Sequence, residues 1–365
     1  MWLSNITDLI LSGKETTMYK TKFSLQALCC PCCHSALIDK EGKLKCTVCG
    51  SLFSTNKYGF IEFILDKTVC EIDTTTEEHS KIQESSGARV FNEYIKPLMI
   101  QEPVRRVLDV GCGIGKGIST LIEEGYEAYG IDLPSLSKFW NQVGNKPQHF
   151  FCCNSTKLPF PNNYFDFVYS LGVIEHIGTE TGQATLSSDY QEVRQQYANE
   201  ILRVTKPNGR ILIACPNKSF PIDIQHGPGD SLSPKRIIRN YIYKRFKINI
   251  HAIWGKSHLL NYSEMKRLFS GNGVRYFEPL PLKNYFGFIG FKSIFIRLAT
   301  AYINNLPKFL RASFLNPYML VLIRKWIILW IFGMRYANRR VGTTCDMVKH
   351  NGCECVGTVE VWWYW

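Results

Sequence analysis

The chain of 365 residues is long enough for a catalytic domain with additional modules, and its 45% hydrophobic and 20% charged residues are ordinary for a globular protein. It contains no repeats and no low-complexity tracts, which excludes repeat architectures. The first ten residues lack a basic segment and include Asp8, so we predict no secretory signal and a cytoplasmic location. In the cytoplasm, the 14 cysteines are expected to be reduced thiols or metal ligands rather than disulfides.

The net charge of +12 is unevenly distributed along the chain. Residues 232–340 contain 20 lysines and arginines but only two acids, Glu264 and Glu278, so this stretch carries +18 and the rest of the chain carries −6. An asymmetry of this size predicts an anionic partner.

Composition and pattern divide the chain into five segments. They are a Cys-rich module at 20–66, a polar linker at 67–87, a region of alternating strands and helices at 88–295, a basic and apolar segment at 296–340, and a tail at 341–365 for which we expect disorder. The alternation in the third segment predicts an α/β fold with a parallel sheet and crossover helices.

The Cys-rich module contains two Cys-x2-Cys pairs separated by twelve residues, formed by Cys30, Cys33, Cys46 and Cys49. Four thiolates on two tight turns are the usual ligands of a structural Zn²⁺ ion. In so small a segment the metal would supply most of the stability. Cys29 and Cys32 adjoin the first pair, and the spacing favours Cys30 and Cys33 over them as ligands.

Within the third segment, apolar periodicity predicts the individual elements. Strands are expected at 106–110, 126–132, 164–170 and 210–215, and helices from the turn after the first strand to Glu124 and at 134–143, 190–204 and 263–269. The last of these strands is entered through a predicted turn at 206–209.

A glycine-rich turn follows the first predicted strand, with Gly111, Gly113 and Gly115 alternating with other residues. Glycine lets the backbone bend sharply and come close to a ligand, and the next helix presents free N–H groups at its start. Asp132 ends the second strand, 23 residues after Asp109. At that position a carboxylate can accept hydrogen bonds from both hydroxyls of a ribose.

Three interpretations of the glycine run compete. A dinucleotide-binding turn requires Gly or Ala where this chain has Lys116, and a phosphate-binding P-loop requires a glycine where it has Val110. The third interpretation is a tight turn that binds nothing.

The glycine run is followed by three further motifs, at 154–166, 173–177 and 201–211. In order and spacing, the set resembles the S-adenosylmethionine-dependent methyltransferases of the methyltransferase 11 type, over about residues 88–280. The resemblance implies a class I enzyme with a Rossmann-like sheet of seven strands. It also implies that S-adenosyl-L-methionine lies over the carboxyl ends of the first strands.

The resemblance further implies which residues contact the cofactor: Asp109, Gly111, Cys112, Gly113, Gly115, Asp132, Leu133, Asn154, Ser155 and Leu171. Asp132 would hold the ribose, Asp109 would lie beneath the loop near the amino-acid moiety, and Asn154 would meet the adenine amino group. The family usually has Asp at the position of Asn154. We expect weaker binding there, through an amide carbonyl that accepts from the amino group.

Methyl transfer from a sulfonium needs a well-placed acceptor and, for a hydroxyl, a base. His176 is the first candidate, because the resembled family places this Glu-His pair at the pocket mouth after the fourth strand. His226 is the second, with Asp223 close enough in sequence to orient its ring. His258 is a third possibility. Packing or surface roles remain open for all three histidines.

The segment at 296–340 includes the most apolar run of the chain, residues 317–333, which Arg324 and Lys325 interrupt. The run is too short and too charged to span a membrane. We predict a basic helical extension, either in a membrane interface or as a lid on the catalytic domain. In the tail, Cys345, Cys353, Cys355 and His350 match no trusted metal-ligand spacing.

Two functions fit these features. The first is methylation of a small-molecule, lipophilic, or lipid- or glycan-linked acceptor, with peripheral membrane contact. The second is methylation of an rRNA or tRNA base, with the basic stretch on phosphates. The Cys-rich module is similar to zinc ribbons fused to some methyltransferases, including rRNA guanine methyltransferases. The mixture of basic and apolar residues favours the first. A non-enzymatic cofactor-binding protein would require a damaged site.

Overall fold

The computed structural model describes residues 27–65, 87–142, 144, 146–180, 185–223, 226, 235–246, 249–270, 273–283 and 294–326. All of them belong to one compact unit, Met1–Ile327. The predicted linker, apart from Gly87, and the predicted tail with its cysteines and His350 lie outside the described residues.

Seven strands form the mixed sheet of the catalytic region. They are β5 (Arg106–Val110), β6 (Glu127–Asp132), β7 (Phe150–Cys152), β8 (Phe165–Leu171), β9 (Thr205–Pro216), β12 (Val274–Pro279) and β13 (Tyr318–Lys325), in the spatial order β7-β6-β5-β8-β9-β13-β12. A separate two-stranded sheet pairs β10 (Ile222–Asp223) with β11 (Asn249–Ile250). Neighbouring strands from β7 to β9 are parallel, whereas β13 is antiparallel to both β9 and β12. The predicted Rossmann-like α/β sheet is therefore confirmed.

The strand order reverses beside β5, where β6 lies on one side and β8 on the other. In open α/β sheets, crevices for ligands form at the carboxyl ends of strands at such a switch point. The topology thus predicts a site above the ends of β5, β6 and β8.

Among the described residues, helices connect most of these strands. They are α1 (Lys96–Met99), which follows a π-helical turn at Phe91–Ile95, α2 (Lys116–Glu123), α3 (Ser137–Trp140), α4 (Tyr190–Val204), α5 (Lys235–Phe246), α6 (Tyr262–Phe269) and α7 (Ile294–Asn304). In α2, Ile118 and Leu121 are fully buried because their spacing places them on one side of the helix. α6 ends at Phe269 as predicted but begins at Tyr262, because Asn261 rather than Ser263 is the N-cap and forms a capping box with Glu264.

The predicted turn at 206–209 is an irregularity within β9 rather than a separate connection. The pairing of β8 with β9 shifts register there, and Asn208 adopts a left-handed conformation with a φ of 63°. The polar turn residues that the sequence shows are thus accommodated as a bulge.

The Cys-rich module, called the N-terminal module from here on, extends the sheet beyond β7. Its strands are β1 (Leu37–Lys40), β2 (Lys43–Cys46), β3 (Leu52–Thr55) and β4 (Ile61–Glu62), of which the last pairs in parallel with β7. The N–H of Phe63 donates to the carbonyl of Cys152 over 2.8 Å, and the rings of Phe63 and Phe151 lie 6.0 Å apart. The module and the catalytic region therefore share one core.

The predicted helical extension is wrong for residues 318–325, which form β13 in the interior of the sheet. Met319, Val321 and Ile323 are buried between the layers, and β13 pairs along its length with β9. A short apolar run bounded by turns suits a buried strand as well as a helix, and here burial in the sheet decides between them. Arg324 and Lys325 are the last residues of the strand.

The remaining part of that segment is partly helical. α7 and a 3₁₀ turn at Lys308–Leu310 precede β13, and residues from 327 onward lie outside the described residues. Among the residues that the structure describes, no helix has the length and apolar content that crossing a membrane requires.

Replacement of Ile323 by Ala should lower the free energy of unfolding by about 2–5 kcal/mol, because it leaves a cavity where a fully buried side chain packs in the core. The matched control is Ile237→Ala on α5, whose side chain is 78% exposed and should cost less than about 0.5 kcal/mol. Urea denaturation measures both. Equal small effects would contradict the placement of β13.

Candidate functional site

A sharp bend connects β5 to α2 at the switch point of the sheet. Gly111, Gly113 and Gly115 have φ angles of 86°, 55° and 84°, which side-chain-bearing residues rarely adopt. The N–H groups of Gly111 and Cys112 both donate to the carbonyl of Ile131, at 2.9 and 3.0 Å. The bend is therefore tied to the end of β6.

Close packing also requires glycine at the first of these positions. A Cβ atom on Gly111 would lie 2.3 Å from Cγ2 of Val173, in the loop that follows β8. The bend after β5 and the loop after β8 are thus in direct contact, and no methyl group fits between them.

Asp132 ends β6 with its carboxylate facing the bend. Its Oδ2 accepts from the N–H of Gly113 and its Oδ1 from the N–H of Leu133, each over 2.7 Å. Burial raises the pKa of Asp132 to about 6, although these two hydrogen bonds act in the opposite direction. The predicted ribose-binding carboxylate therefore lies next to the glycine bend.

Asp109 lies beneath the bend, as predicted. Its side chain is buried, and burial raises its pKa well above the usual value, while the hydroxyl of Tyr169 lowers it and the charge of Asp132 raises it further. A Cβ atom on Gly117 would lie 3.7 Å from Oδ2 of Asp109, so the carboxylate sits under the start of α2.

Three other predicted cofactor residues take different positions around the bend. The thiol of Cys112 is buried in the core against Gly130, so only the backbone of this residue lies at the bend. Leu133 is half-buried beside Asp132, and Leu171 is half-buried at the carboxyl end of β8.

Asn154 follows β7 and forms a local turn. Its Oδ1 accepts from the backbone N–H of Thr156 over 3.0 Å and from the Thr156 hydroxyl over 2.8 Å. Because a backbone N–H can only donate, the amide oxygen must face Thr156 and the NH₂ group points elsewhere. We expected the amide oxygen of Asn154 to accept from the adenine amino group. In the structure this oxygen accepts from Thr156 instead. Ser155 is half-buried beside it.

Trp140 and Ser170 support the bend and were not predicted. The indole Nε1 of Trp140, on α3, donates to the carbonyl of Gly113 over 2.7 Å. The Ser170 hydroxyl donates to the carbonyl of Val110 over 2.6 Å and accepts from the Tyr197 hydroxyl over 2.8 Å. In the sequence, the only signal for these contacts is that both residues lie near the end of a predicted strand or helix.

The three candidate histidines meet beyond the end of β8. Nε2 of His226 lies 3.4 Å from Nε2 of His176, and the rings of His226 and His258 have centroids 5.1 Å apart. Nδ1 of His226 lies 2.8 Å from Oδ2 of Asp223, as the sequence spacing suggested. With Glu175, these residues form what we call the histidine cluster: Glu175, His176, Asp223, His226 and His258.

Electrostatics differ among members of the histidine cluster. Burial lowers the pKa of His226, but its hydrogen bond to Asp223 and the nearby carboxylates outweigh burial and raise it overall. Burial and the neighbouring His226 lower the pKa of His258 to about 3. Burial raises the pKa of Glu175 to about 7. His226 therefore holds a proton more readily than His258 does.

Arg194, on α4, fixes the loops that carry the histidine cluster. Its guanidinium is 5% exposed and donates to the carbonyls of Ile177, at 3.0 Å, and His258, at 2.6 Å. The sequence had shown this arginine only as one charge on a helix.

The cysteines of the N-terminal module converge as predicted. The sulfur atoms of Cys30, Cys33, Cys46 and Cys49 all lie within 4.8 Å of one another. Those of Cys30 and Cys49 are 3.5 Å apart and those of Cys33 and Cys46 are 3.4 Å apart. Tetrahedral ligands at the Zn–S distance of about 2.3 Å are about 3.8 Å apart, so the thiol cluster suits a zinc ion after a small expansion.

Comparisons with known proteins agree with this geometry. The family model described as "Methyltransferase domain" matches residues 108–213, which include the glycine bend, Asp132 and His176. Phosphoethanolamine N-methyltransferase 1 of Zea mays is 28% identical over 135 residues, which cover 36% of this chain and 24% of that protein. The probable tRNA methyltransferase 9B of Mus musculus is 28% identical over 116 residues, covering 32% and 23%.

Among solved structures, phosphoethanolamine N-methyltransferase 2 of Haemonchus contortus in complex with S-adenosyl-L-methionine is 18% identical, with a TM-score of 0.39 over 69% of this chain and 58% of that one. The chain spans about a quarter of the length of the maize and mouse relatives. The family match, over residues 108–213, supports the predicted class, a class I S-adenosylmethionine-dependent methyltransferase.

Replacement of Gly111 by Ala should destabilise the protein more than Gly125→Ala does. Both glycines have positive φ, which costs about 1–2 kcal/mol for alanine, but a Cβ on Gly125 meets nothing within 4 Å. The excess at Gly111 should shrink when Val173→Ala is added, since that removes the colliding methyl group. Chemical denaturation of the four variants measures this coupling; purely additive effects would contradict the contact.

Proposed function

We propose that the protein transfers the methyl group of S-adenosyl-L-methionine to a small-molecule acceptor that is lipophilic or linked to a lipid or glycan. One juxtaposition carries this proposal. The glycine bend with Asp132 adjoins the loop that bears His176, because Val173 packs against Gly111. A nucleoside site and a set of proton-accepting side chains therefore share one edge of the sheet.

The residues around the bend suit the cofactor. The Asp132 carboxylate is the acceptor for ribose hydroxyls, and Asp109 beneath the bend suits the positively charged amino-acid end. Leu133, Ser155 and Leu171 complete the lining. Since the oxygen of Asn154 is engaged by Thr156, we assign to its NH₂ group a hydrogen bond to a ring nitrogen of adenine.

When bound, the cofactor supplies a methyl group on a positively charged sulfur that needs no further activation. The protein must hold the acceptor and, if it is a hydroxyl, receive its proton. We assign that role to His176 and His226. Asp223 fixes the His226 ring through Nδ1, so that Nε2 faces His176.

The surface of α5 supports a lipophilic acceptor. Ile237, Ile238 and Tyr241 are between 65% and 78% exposed, and basic residues follow them on the same helix. Arg239 bonds to Asn249 over 3.2 Å, and Asn249 pairs with Asp223 of the histidine cluster. An apolar, basic helix is thus linked to the candidate acceptor site, which suits a lipid surface.

The apolar run at 318–325 is a buried strand and is not available for membrane contact. The exposed apolar side chains of α5 are available instead. We further propose a cytoplasmic protein that binds the membrane surface peripherally, through α5 and the positive charge of residues 232–340.

RNA base methylation is the second candidate. It is favoured by the net charge of +18 on residues 232–340 and by the similarity to proteins described as probable tRNA methyltransferases. In that function, the N-terminal module would contact RNA.

We also propose that the four-cysteine cluster holds a structural Zn²⁺ ion and that the module is a zinc ribbon. The N–H groups of Val48 and Cys49 point at the sulfur of Cys46, at 3.5 and 3.4 Å, and such donors stabilise a thiolate ligand. Because β4 continues the catalytic sheet, this metal would stabilise the edge next to β7.

Binding of S-adenosylhomocysteine should weaken as the pH falls through about 6, because protonation of Asp132 removes an acceptor for the ribose. Below that pH the affinity should fall by up to roughly tenfold per unit. Asp132→Asn should bind about 10–100-fold more weakly at pH 7.5 and lose this pH dependence. Calorimetry measures both.

The control for this experiment is Asp39→Asn, an exposed aspartate of the N-terminal module, which should bind like the wild type at each pH. If Asp132→Asn also bound normally, the assignment of the ribose site would be wrong.

Co-sedimentation with phosphatidylcholine–phosphatidylserine vesicles, set beside filter binding to tRNA, distinguishes the two acceptor classes. The variant Ile237→Ser/Tyr241→Ser should reduce vesicle binding by about tenfold or more, because it removes apolar area that would insert. Ile100→Ser, also strongly exposed but just after the end of α1, should change nothing. Salt-sensitive tRNA binding without vesicle binding would favour the second function.

A further inference from the structure

Glu175 is a buried carboxylate that the fold does not neutralise by hydrogen bonding. It is 1% exposed, and neither of its carboxylate oxygens has a hydrogen-bond partner among the described residues. A buried carboxylate in this state is costly unless a proton, a cation or water satisfies it. The same is true of Nε2 of His258, which is buried without a hydrogen-bond partner.

The neighbours of Glu175 are metal-binding groups. One ligand atom each from Glu175, His176 and His226 lies within 4.8 Å of the others. We propose that these three residues bind a divalent transition-metal ion at the end of β8. This metal site is separate from the four-cysteine cluster.

The spacing of the imidazoles suits such an ion. Two nitrogen ligands at about 2.0–2.1 Å from a tetrahedral metal are about 3.3–3.4 Å apart. The two Nε2 atoms of His176 and His226 are 3.4 Å apart. One carboxylate and two imidazoles leave a tetrahedral ion with an open position, as in catalytic rather than structural metal sites.

Asp223 supplies the outer support that metal-binding histidines usually have. Its carboxylate receives Nδ1–H of His226 over 2.8 Å, which leaves the lone pair of Nε2 directed at the site. Asp223 is itself 2% exposed, so the pair is rigidly held. The histidine is thereby oriented before any ion arrives.

The charges around the site favour a cation. Glu175 and Asp223 contribute two negative charges when ionised, and Arg194 contributes one positive charge that acts on Glu175. Arg194 is engaged by the carbonyls of Ile177 and His258, so it does not occupy the position between the histidines. His258 adds a further imidazole next to His226.

Imidazole and carboxylate ligands together suit Zn²⁺, Fe²⁺ or Mn²⁺ better than Mg²⁺ or Ca²⁺, which prefer oxygen alone. In the proposed function, on which this consequence rests, the open position would take an oxygen atom of the acceptor. With the ion bound, His176 and His226 would act on the acceptor through the metal, which replaces the base role assigned to them in its absence.

The test is Zn K-edge absorption and metal analysis of the untagged full-length protein after equilibration with Zn²⁺ and gel filtration. We expect roughly two zinc ions per chain and a mixed coordination shell, with sulfur at about 2.3 Å and nitrogen or oxygen at about 2.0–2.1 Å. Glu175→Gln and His226→Gln should each lose about one ion and the light-atom shell, while the sulfur shell remains. The sulfur shell also shows that the variants are folded.

His149→Gln is the matched control, because this histidine lies outside the cluster and bonds to the carbonyl of Ala128. It should keep the wild-type metal content. A wild type with one zinc and a pure sulfur shell, or variants with unchanged metal content, would overturn the proposal. The metal-binding experiment contains no cofactor and no acceptor, so its outcome does not test the proposed function. That function is tested separately, by the binding of S-adenosylhomocysteine.

Discussion

The candidate site depends on how Asp132 is held against the glycine bend. Its carboxylate receives one N–H from Gly113 on the bend and one from Leu133 in its own strand continuation. The first of these hydrogen bonds connects the bend after β5 to the end of β6, beyond the last paired residues, Val110 and Ile131, and it adds to the backbone bonds from Gly111 and Cys112 to Ile131. Burial makes each bond stronger than it would be in water, and it also raises the pKa of the acid to about 6.

A second set of contacts joins this bend to the N-terminal module. Trp140 donates to the carbonyl of Gly113, and its ring lies 4.9 Å from that of Phe60, with the planes nearly perpendicular. Phe60 comes directly before β4, which pairs with β7. The module therefore packs against a residue that supports the glycine bend. This explains why the two parts share one core.

The sequence was sufficient where local chemistry determines structure. Glycines with positive φ, a carboxylate at a strand end and paired cysteines each have a short-range physical reason, and the structure brings them together as expected. The sequence alone was insufficient where contacts with residues far away in the chain determine the secondary structure. The apolar run at 318–325 becomes a strand because β9 and β12 leave a gap between them, and no property of those eight residues encodes that gap.

The histidine cluster shows the same limit. Its members come from segments up to 83 residues apart, since Glu175 and His258 belong to loops after different strands. Sequence spacing could pair Asp223 with His226, three positions away, but not His226 with His176. The orientation of Asn154 was likewise decided by Thr156, whose backbone N–H occupies the amide oxygen.

Buried acids on the carboxyl edge of the sheet share one electrostatic property. Burial raises the pKa of Asp109, Asp132 and Glu175, because each loses hydration without a neighbouring Lys or Arg to compensate fully. A positively charged ligand placed near such an acid lowers its pKa and is attracted more strongly than it would be in water. At the glycine bend that ligand would be a sulfonium with its amino group, and at the histidine cluster a metal ion. Arg194, next to the histidine cluster, directs its donors to backbone carbonyls rather than to these acids. Incompletely neutralised carboxylates at this edge therefore favour a positively charged ligand.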